Sequence, residues 1–199
     1  MISPRRRGQT NPLARGDGGL AREFVDEMIT LIERCRERYP DRVHLAGSMP
    51  EERIACAEQD LRVRFPSSYR AFLTRYGAGI IAGHRVLGLG TLNESVVSQT
   101  RRAQQDLRLP RSLIVVETVD AWLYCLDTYQ TDESGEAPGV RWIVGEEAGE
   151  QDLTPIYRSF ADFVVTRLMG LVEGDPRGGV SLEDDLSRCR CPRCSIVGR

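Results

Sequence analysis

The sequence predicts an α+β domain, an antiparallel sheet with helices packed around it. Three observations carry this. Residues 20–39 and 54–76 have helical apolar periodicity. Three short runs rich in β-branched and aromatic residues follow, at 112–119, 121–127 and 140–144. The links between those runs are short, which suggests antiparallel pairing.

The first helix places Leu20, Phe24, Met28, Leu31, Ile32 and Cys35 on one face and turns Arg34, Arg36, Glu37 and Arg38 to water. Pro40 stops it. Ser48 and Glu51 have the spacing of a capping box, which opens a helix carrying Ile54, Ala57, Leu61 and Phe65 on one side. Pro66 ends that helix and suits the first turn of the next. Tyr69, Phe72, Leu73 and Tyr76 form the second stripe, and Gly77 closes it. Residues 79–83 and 85–90 read as a short strand or turn and a second strand with a glycine exit. Asn93 to Leu107 reads as a polar, exposed connector helix before Pro110. Thr128 to Gly139 is an acidic, turn-rich loop. Ser159 caps a last helix that runs to about Leu171, with Phe160, Phe163, Val164 and Leu168 inward.

The chain has 199 residues, 41% hydrophobic and 28% charged, which fits one globular domain. The expected division is a disordered basic arm over 1–18, a single domain over 19–173 and a flexible tail over 174–199. No apolar run is long enough to span a bilayer, and the arginine-containing start lacks the apolar core of a secretory signal. The expected compartment is the cytoplasm. All 27 basic residues are arginine, so ion pairs here can be bidentate. The net charge of −2 hides an asymmetry: residues 112–187 hold 16 acids and 4 arginines, whereas 1–111 hold 13 acids and 19 arginines. The acidic part should steer a basic partner.

Catalytic signatures are missing. Gly77 to Gly83 resembles a phosphate loop, but it follows a helix and opens a strand, the reverse of a dinucleotide fingerprint. Neither a nucleophile elbow nor a Walker loop occurs, and His44 and His84 stand outside any triad or metal motif. The sequence therefore predicts no enzyme. The Arg5-Arg6-Arg7 arm offers only a weak, salt-sensitive contact to nucleic acid, and the folded part has no basic stripe with interleaved aromatics. Cys189, Cys191 and Cys194 are the best metal candidates, for zinc, with a fourth ligand needed from elsewhere. The other reading of these cysteines is a redox-sensitive end. Cys35, Cys56 and Cys125 sit on apolar faces and read as core.

Several residues resemble, in their order, the SUKH superfamily, which joins a fungal cell-wall-synthesis regulator to many bacterial immunity proteins. They are Ile54, Glu58, Leu61, Phe65-Pro66, Tyr69, Phe72-Leu73 and Tyr76-Gly77, then Leu123 to Asp127, then Ser159-Phe160 and Phe163. The likeness covers about residues 50 to 170. It departs where that family often has a glycine-rich approach to its central strand; here the approach is Glu117-Thr118-Val119-Asp120-Ala121. The resemblance implies a non-catalytic immunity protein, bound to a basic toxin domain such as a nuclease. The contacts expected from the acidic region are Glu117, Asp120, Asp127, Asp132, Glu133, Glu136, Glu146 and Glu147, with Trp122 or Trp142 as an anchor or as core. A second reading is an intracellular regulatory scaffold whose cysteine tail binds metal or senses redox state.

Overall fold

The computed structural model describes residues 17–90 and 95–172. The expected basic arm and the Cys189, Cys191 and Cys194 tail lie outside the described residues. Among the described residues, five α-helices surround two three-stranded antiparallel sheets. The expected α+β class is found, with the sheet divided in two. Helix α1 spans Asp17–Arg38, α2 Glu51–Leu61, α3 Ser67–Tyr76, α4 Val96–Asp106 and α5 Phe160–Val172. The first sheet orders β1 (Val43–Leu45), β2 (Gly79–Ile81) and β3 (His84–Val86). The second orders β4 (Leu113–Val119), β5 (Trp122–Asp127) and β6 (Gly139–Ile143). Among the described residues no helix is long and apolar enough to cross a membrane.

Helix α2 ends four residues before the expected Phe65. Arg62 takes a left-handed conformation at φ 57°, and Val63 N–H donates back to Glu58 O in a Schellman closure. The expected capping box is not formed: Pro50 is the N-cap, and its side chain can cap nothing. What holds the α2–α3 corner is Glu58. Its Oε1 accepts the Phe65 N–H at 2.7 Å and pairs with Arg70 Nη1 at 2.6 Å. Arg70 also reaches Glu51.

A ladder of rings forms the core between corner and sheet. Phe65 meets Tyr69, Tyr69 and Phe72 both meet Phe160, and Phe160 meets Phe163, which touches Tyr124 and Tyr157. Edge-on and tilted contacts of this kind add about 0.5–1.5 kcal/mol each beyond burial. Helix α1 lies on α5 and α3 through Met28, Leu31, Ile32 and Cys35, all buried. Helix α4 is more than an exposed connector. Ser95 caps it, Val96, Thr100 and Ala103 are buried, and Thr100 Oγ1 accepts the Val115 N–H of β4 at 3.0 Å.

The two sheets are joined at Leu87-Gly88-Leu89, a buried segment that has left the strand. Leu87 N–H donates to Val116 O at 2.7 Å, and Leu87 O accepts the Tyr69 hydroxyl at 2.9 Å. Gly88 O accepts Val96 N–H, and Leu89 N–H donates to Gly77 O at 2.8 Å. Gly77 closes α3 as expected, in a tighter turn than a left-handed cap: φ is 69° and ψ −64°, with Ala78 N–H on Tyr76 O at 2.7 Å. A Cβ on Gly88 would lie 1.9 Å from Gly77 O, so the two backbones touch directly.

Gly88→Ala should therefore cost at least about 3 kcal/mol, because the obstacle is backbone and cannot rotate away. Gly149→Ala, with open space around it, should stay within about 0.5 kcal/mol. Urea unfolding of both variants checks this; equal midpoints would refute the backbone contact.

Candidate functional site

Two hairpins frame a cleft of about 440 Å³. The β2–β3 hairpin contributes Gly83, His84 and Arg85, and the β4–β5 hairpin contributes Thr118, Asp120 and Trp122. Beneath them lies a charged cluster. Glu117, only 1% exposed, meets His84 Nδ1 through Oε1 at 3.2 Å and Arg167 Nη2 through Oε2 at 3.3 Å. The Arg167 guanidinium lies over the Tyr124 ring, 4.2 Å from its centroid, and over Phe163 at 5.5 Å. Burial pulls the pKa of Arg167 down, but the charge of Glu117 and the neighbouring Tyr157 and Tyr124 outweigh it, so the cation is held more firmly than usual.

A β-bulge puts Glu117 there. Val115 pairs with Cys125 and Glu117 with Tyr124, which leaves Val116 without a partner on β5. Cross-strand partners share a face, and Tyr124 and Cys125 point to opposite faces. The bulge therefore turns Glu117 to the side opposite Val115, the side of Tyr124, Phe163 and α5. Two buried charges each cost several kcal/mol of desolvation, and the pair returns this only through good mutual geometry. Buried charge at the base of a cleft marks a functional candidate.

The structure separates the expected contact residues into three groups. Four are interior and cannot meet a partner directly. Glu117 belongs to the cluster just described. Asp127 ends β5 and accepts Tyr129 N–H and Gln130 Nε2–H, at 3.1 and 2.7 Å. Glu136 accepts the Ser68 N–H and hydroxyl at 2.8 and 2.6 Å, and so ties the β5–β6 connection to the start of α3. Trp142 is core, opposite Leu123. For Asp127 and Glu136 the reason is shared: strand ends and helix starts leave N–H groups that need acceptors, and nearby carboxylates supply them.

Asp120, Glu146 and Glu147 form the second group. Asp120 is exposed in the β4–β5 turn, and Val144 N–H donates to Ala121 O at 2.7 Å, which brings the chain leaving β6 beside that turn. Trp122 is half-buried here, with Arg141 stacked on it at 4.6 Å. Asp132 and Glu133, both exposed, form the third group in the β5–β6 connection. Asp132 Oδ1 organises that turn by accepting from Ser134 N–H, Ser134 Oγ and Glu136 N–H. The second and third groups sit at opposite ends of β5, about 20 Å apart for six residues. The single acidic face expected from the charge count is two separate patches.

Among the described residues no group of three or more His, Cys, Asp and Glu could hold a metal ion. Cys35 and Cys125 are buried as expected, and burial pushes both thiols up. Cys56 is exposed rather than core.

A family model, SUKH_5, described as SMI1-KNR4 cell-wall, matches residues 26–168. The chain belongs to the SUKH superfamily. The match takes in every strand, the whole of α2, α3 and α4, α1 from residue 26 and α5 up to residue 168. His84, Arg85, Thr118, Tyr124 and Arg167 were not among the site residues legible from sequence. One signal could have found Arg167: with Phe160, Phe163, Val164 and Leu168 inward, position 167 falls on the same stripe. An arginine on the buried side of a helix requires a buried partner.

Arg167→Met should cost about 3–5 kcal/mol, because Glu117 keeps its buried charge, and adding Glu117→Gln should restore most of that loss. Additive losses in a double-mutant cycle read by denaturant unfolding would show that the two side chains do not act as a pair. Glu136 gives a pH test. Burial holds its carboxyl above the usual range despite the hydrogen bonds from Ser68. Ionisation is then harder in the folded than in the unfolded chain. The stability tied to it is full below the unfolded carboxylate value and falls as pH rises through the raised folded value. Glu136→Gln should abolish that fall in a stability–pH profile; an unchanged slope would place the titration elsewhere.

Proposed function

We propose that this SUKH protein is a non-catalytic protein-binding domain, an immunity protein that holds a cognate bacterial toxin inactive in the cell that makes it. One observation beyond family membership carries the reading. Asp120 lines the cleft beside the half-buried Trp122, and the chain leaving β6, which carries Glu146 and Glu147, returns to the same end of the second sheet, where these two line a separate hollow with Asp106, Arg108 and Trp142. Carboxylates at one end of a sheet, beside an aromatic residue, suit a basic partner surface: the charges speed encounter and the ring supplies the anchor. A basic toxin domain such as a nuclease has that complementarity. The family's cell-wall description supports a second reading, a regulatory scaffold that binds a host protein through the same end.

Co-expression with each toxin domain encoded beside this gene separates the two. Rescue of growth is expected from the immunity reading, and failure against every such domain leaves the scaffold. With a rescued toxin in hand, Asp120→Asn/Glu146→Gln/Glu147→Gln should slow association about tenfold at low salt and flatten its salt dependence. Asp132→Asn/Glu133→Gln, at the far end, should change it much less. Equal effects of the two sets in stopped-flow binding would remove the assignment of the interface to the Asp120 end.

A further inference from the structure

One face of the first sheet is left to solvent. Cross-strand pairing puts Val43, Ile81 and His84 on one side and His44, Ile80 and Arg85 on the other. Val43 and Ile81 are buried, so the second row faces outward, with His44 and Arg85 exposed and Ile80 half-buried. The ladder runs on by one bond, Ala82 N–H to Arg42 O at 2.8 Å, which sets the exposed Arg42 beside the β2–β3 turn. Arg42 also lies over the Tyr39 ring, 6.0 Å from its centroid, and Arg38 lies over the same ring at 5.5 Å. Arg34 and Arg38, four apart on α1, line a hollow of about 340 Å³ with Tyr39.

Folding gains little from these cations. Like charges at i and i+4 on a helix oppose each other. Arg36 and Arg75 are spent on Glu33. The dipole of α1 accounts for Arg38 in its last turn. It does not account for Arg42 or Arg85, which make no ion pair among the described residues. The free acids of this stretch are Glu37 and Asp41, set against Arg34, Arg38, Arg42 and Arg85. No acid stands in the outward row itself.

We propose that this face binds single-stranded nucleic acid without sequence preference, with phosphates on Arg42, Arg85 and the Arg34–Arg38 pair and a base against Tyr39. Charge complementarity calls for a polyanion, and the rings decide which. Guanidinium planes and a phenol stack on bases, a contact that an acidic peptide does not offer. The bed from His44 to Arg85 is about 10 Å wide, at about 4.8 Å per strand step. In the sequence these residues are scattered over 34–44 and 80–85, and the pairing of β1, β2 and β3 assembles them. Arg85 also lines the cleft with Asp120, whereas Arg42, His44 and Tyr39 do not. The inference does not depend on the immunity reading.

The test titrates the full chain into a fluorescein-labelled oligouridylate dodecamer, read by anisotropy. Each neutralised phosphate of a single strand adds about −0.7 to the slope of log affinity against log salt, so three or four contacts give about −2 to −3. Arg42→Gln/Arg85→Gln should weaken binding at low salt at least about tenfold and flatten the slope by about 1.4. Tyr39→Leu should weaken it at least about fivefold with the slope unchanged. Arg62→Gln/Arg64→Gln, exposed beyond the end of α2, should change it less than about twofold. Should Tyr39→Leu not fold, the arginine pairs and the salt slope still decide. No binding at low salt, a slope near zero, or equal losses in the two arginine pairs would overturn the proposal. So would unchanged binding by Arg42→Gln/Arg85→Gln, which assigns the contact to arginines elsewhere in the chain. Competition by polyglutamate as strong as that by unlabelled oligouridylate of equal charge would overturn it too, and assign the face to an acidic protein segment.

Discussion

Everything in this fold hangs on three buried residues, Leu87-Gly88-Leu89, whose backbone groups have no strand to satisfy them. A buried N–H or C=O without a partner costs about as much as the hydrogen bond it lacks. These groups find partners in four directions: β4, the Tyr69 hydroxyl of α3, the start of α4 and the end of α3. The segment thereby sets where the first sheet meets the second and where the helical corner sits. Glycine at 88 and 77 is what lets two backbones come within contact distance.

That joint also explains the cleft. A pair of sheets held by one backbone bond can remain open beyond it, because nothing zips Arg85 to Thr118. The bulge at Val116 is part of the same arrangement. It offers a carbonyl to Leu87 and, by shifting the register, turns Glu117 beneath the opening to meet Arg167 and His84. One extra residue in β4 thus produces both the seam between the sheets and the charge under it. Natural proteins retain bulges where a side chain must be re-aimed.

The acids of the second half divide by what surrounds them. Asp127 and Glu136 satisfy buried donors, Glu117 neutralises an arginine, and Asp132 shapes a turn. Of the acids left free, Asp120 lines the cleft beside the Trp122 ring, and Glu146 and Glu147 stand at the same end of the sheet in a separate hollow. Counting acids along the chain overstates the charge available to a partner, since several are committed to the fold. A smaller set of free charges beside a shaped cleft is nevertheless the better basis for selectivity, because charge speeds encounter while ring contacts discriminate.

The sequence by itself determined the α+β class, the helices and their buried faces, the three later strands, the Ser159 cap and the family. These follow from periodicity and from Pro and Gly at fixed positions, which act over a few residues. It misled at α2, where Arg62 rather than Pro66 ends the helix, because a Schellman turn can form on a non-glycine residue once tertiary bonds hold it. It misled at Glu117, Asp127 and Glu136, counted among the partner contacts and buried in the structure, and it left Trp142 as anchor or core, of which the structure gives core. It left out β1, a three-residue strand defined only by pairing with β2. The division into two sheets, the gap between them and the Glu117–His84–Arg167 cluster were decided only in the tertiary structure. The physical reason is range: each depends on groups 30 to 80 residues apart meeting across a bulge whose register shift no local pattern announces.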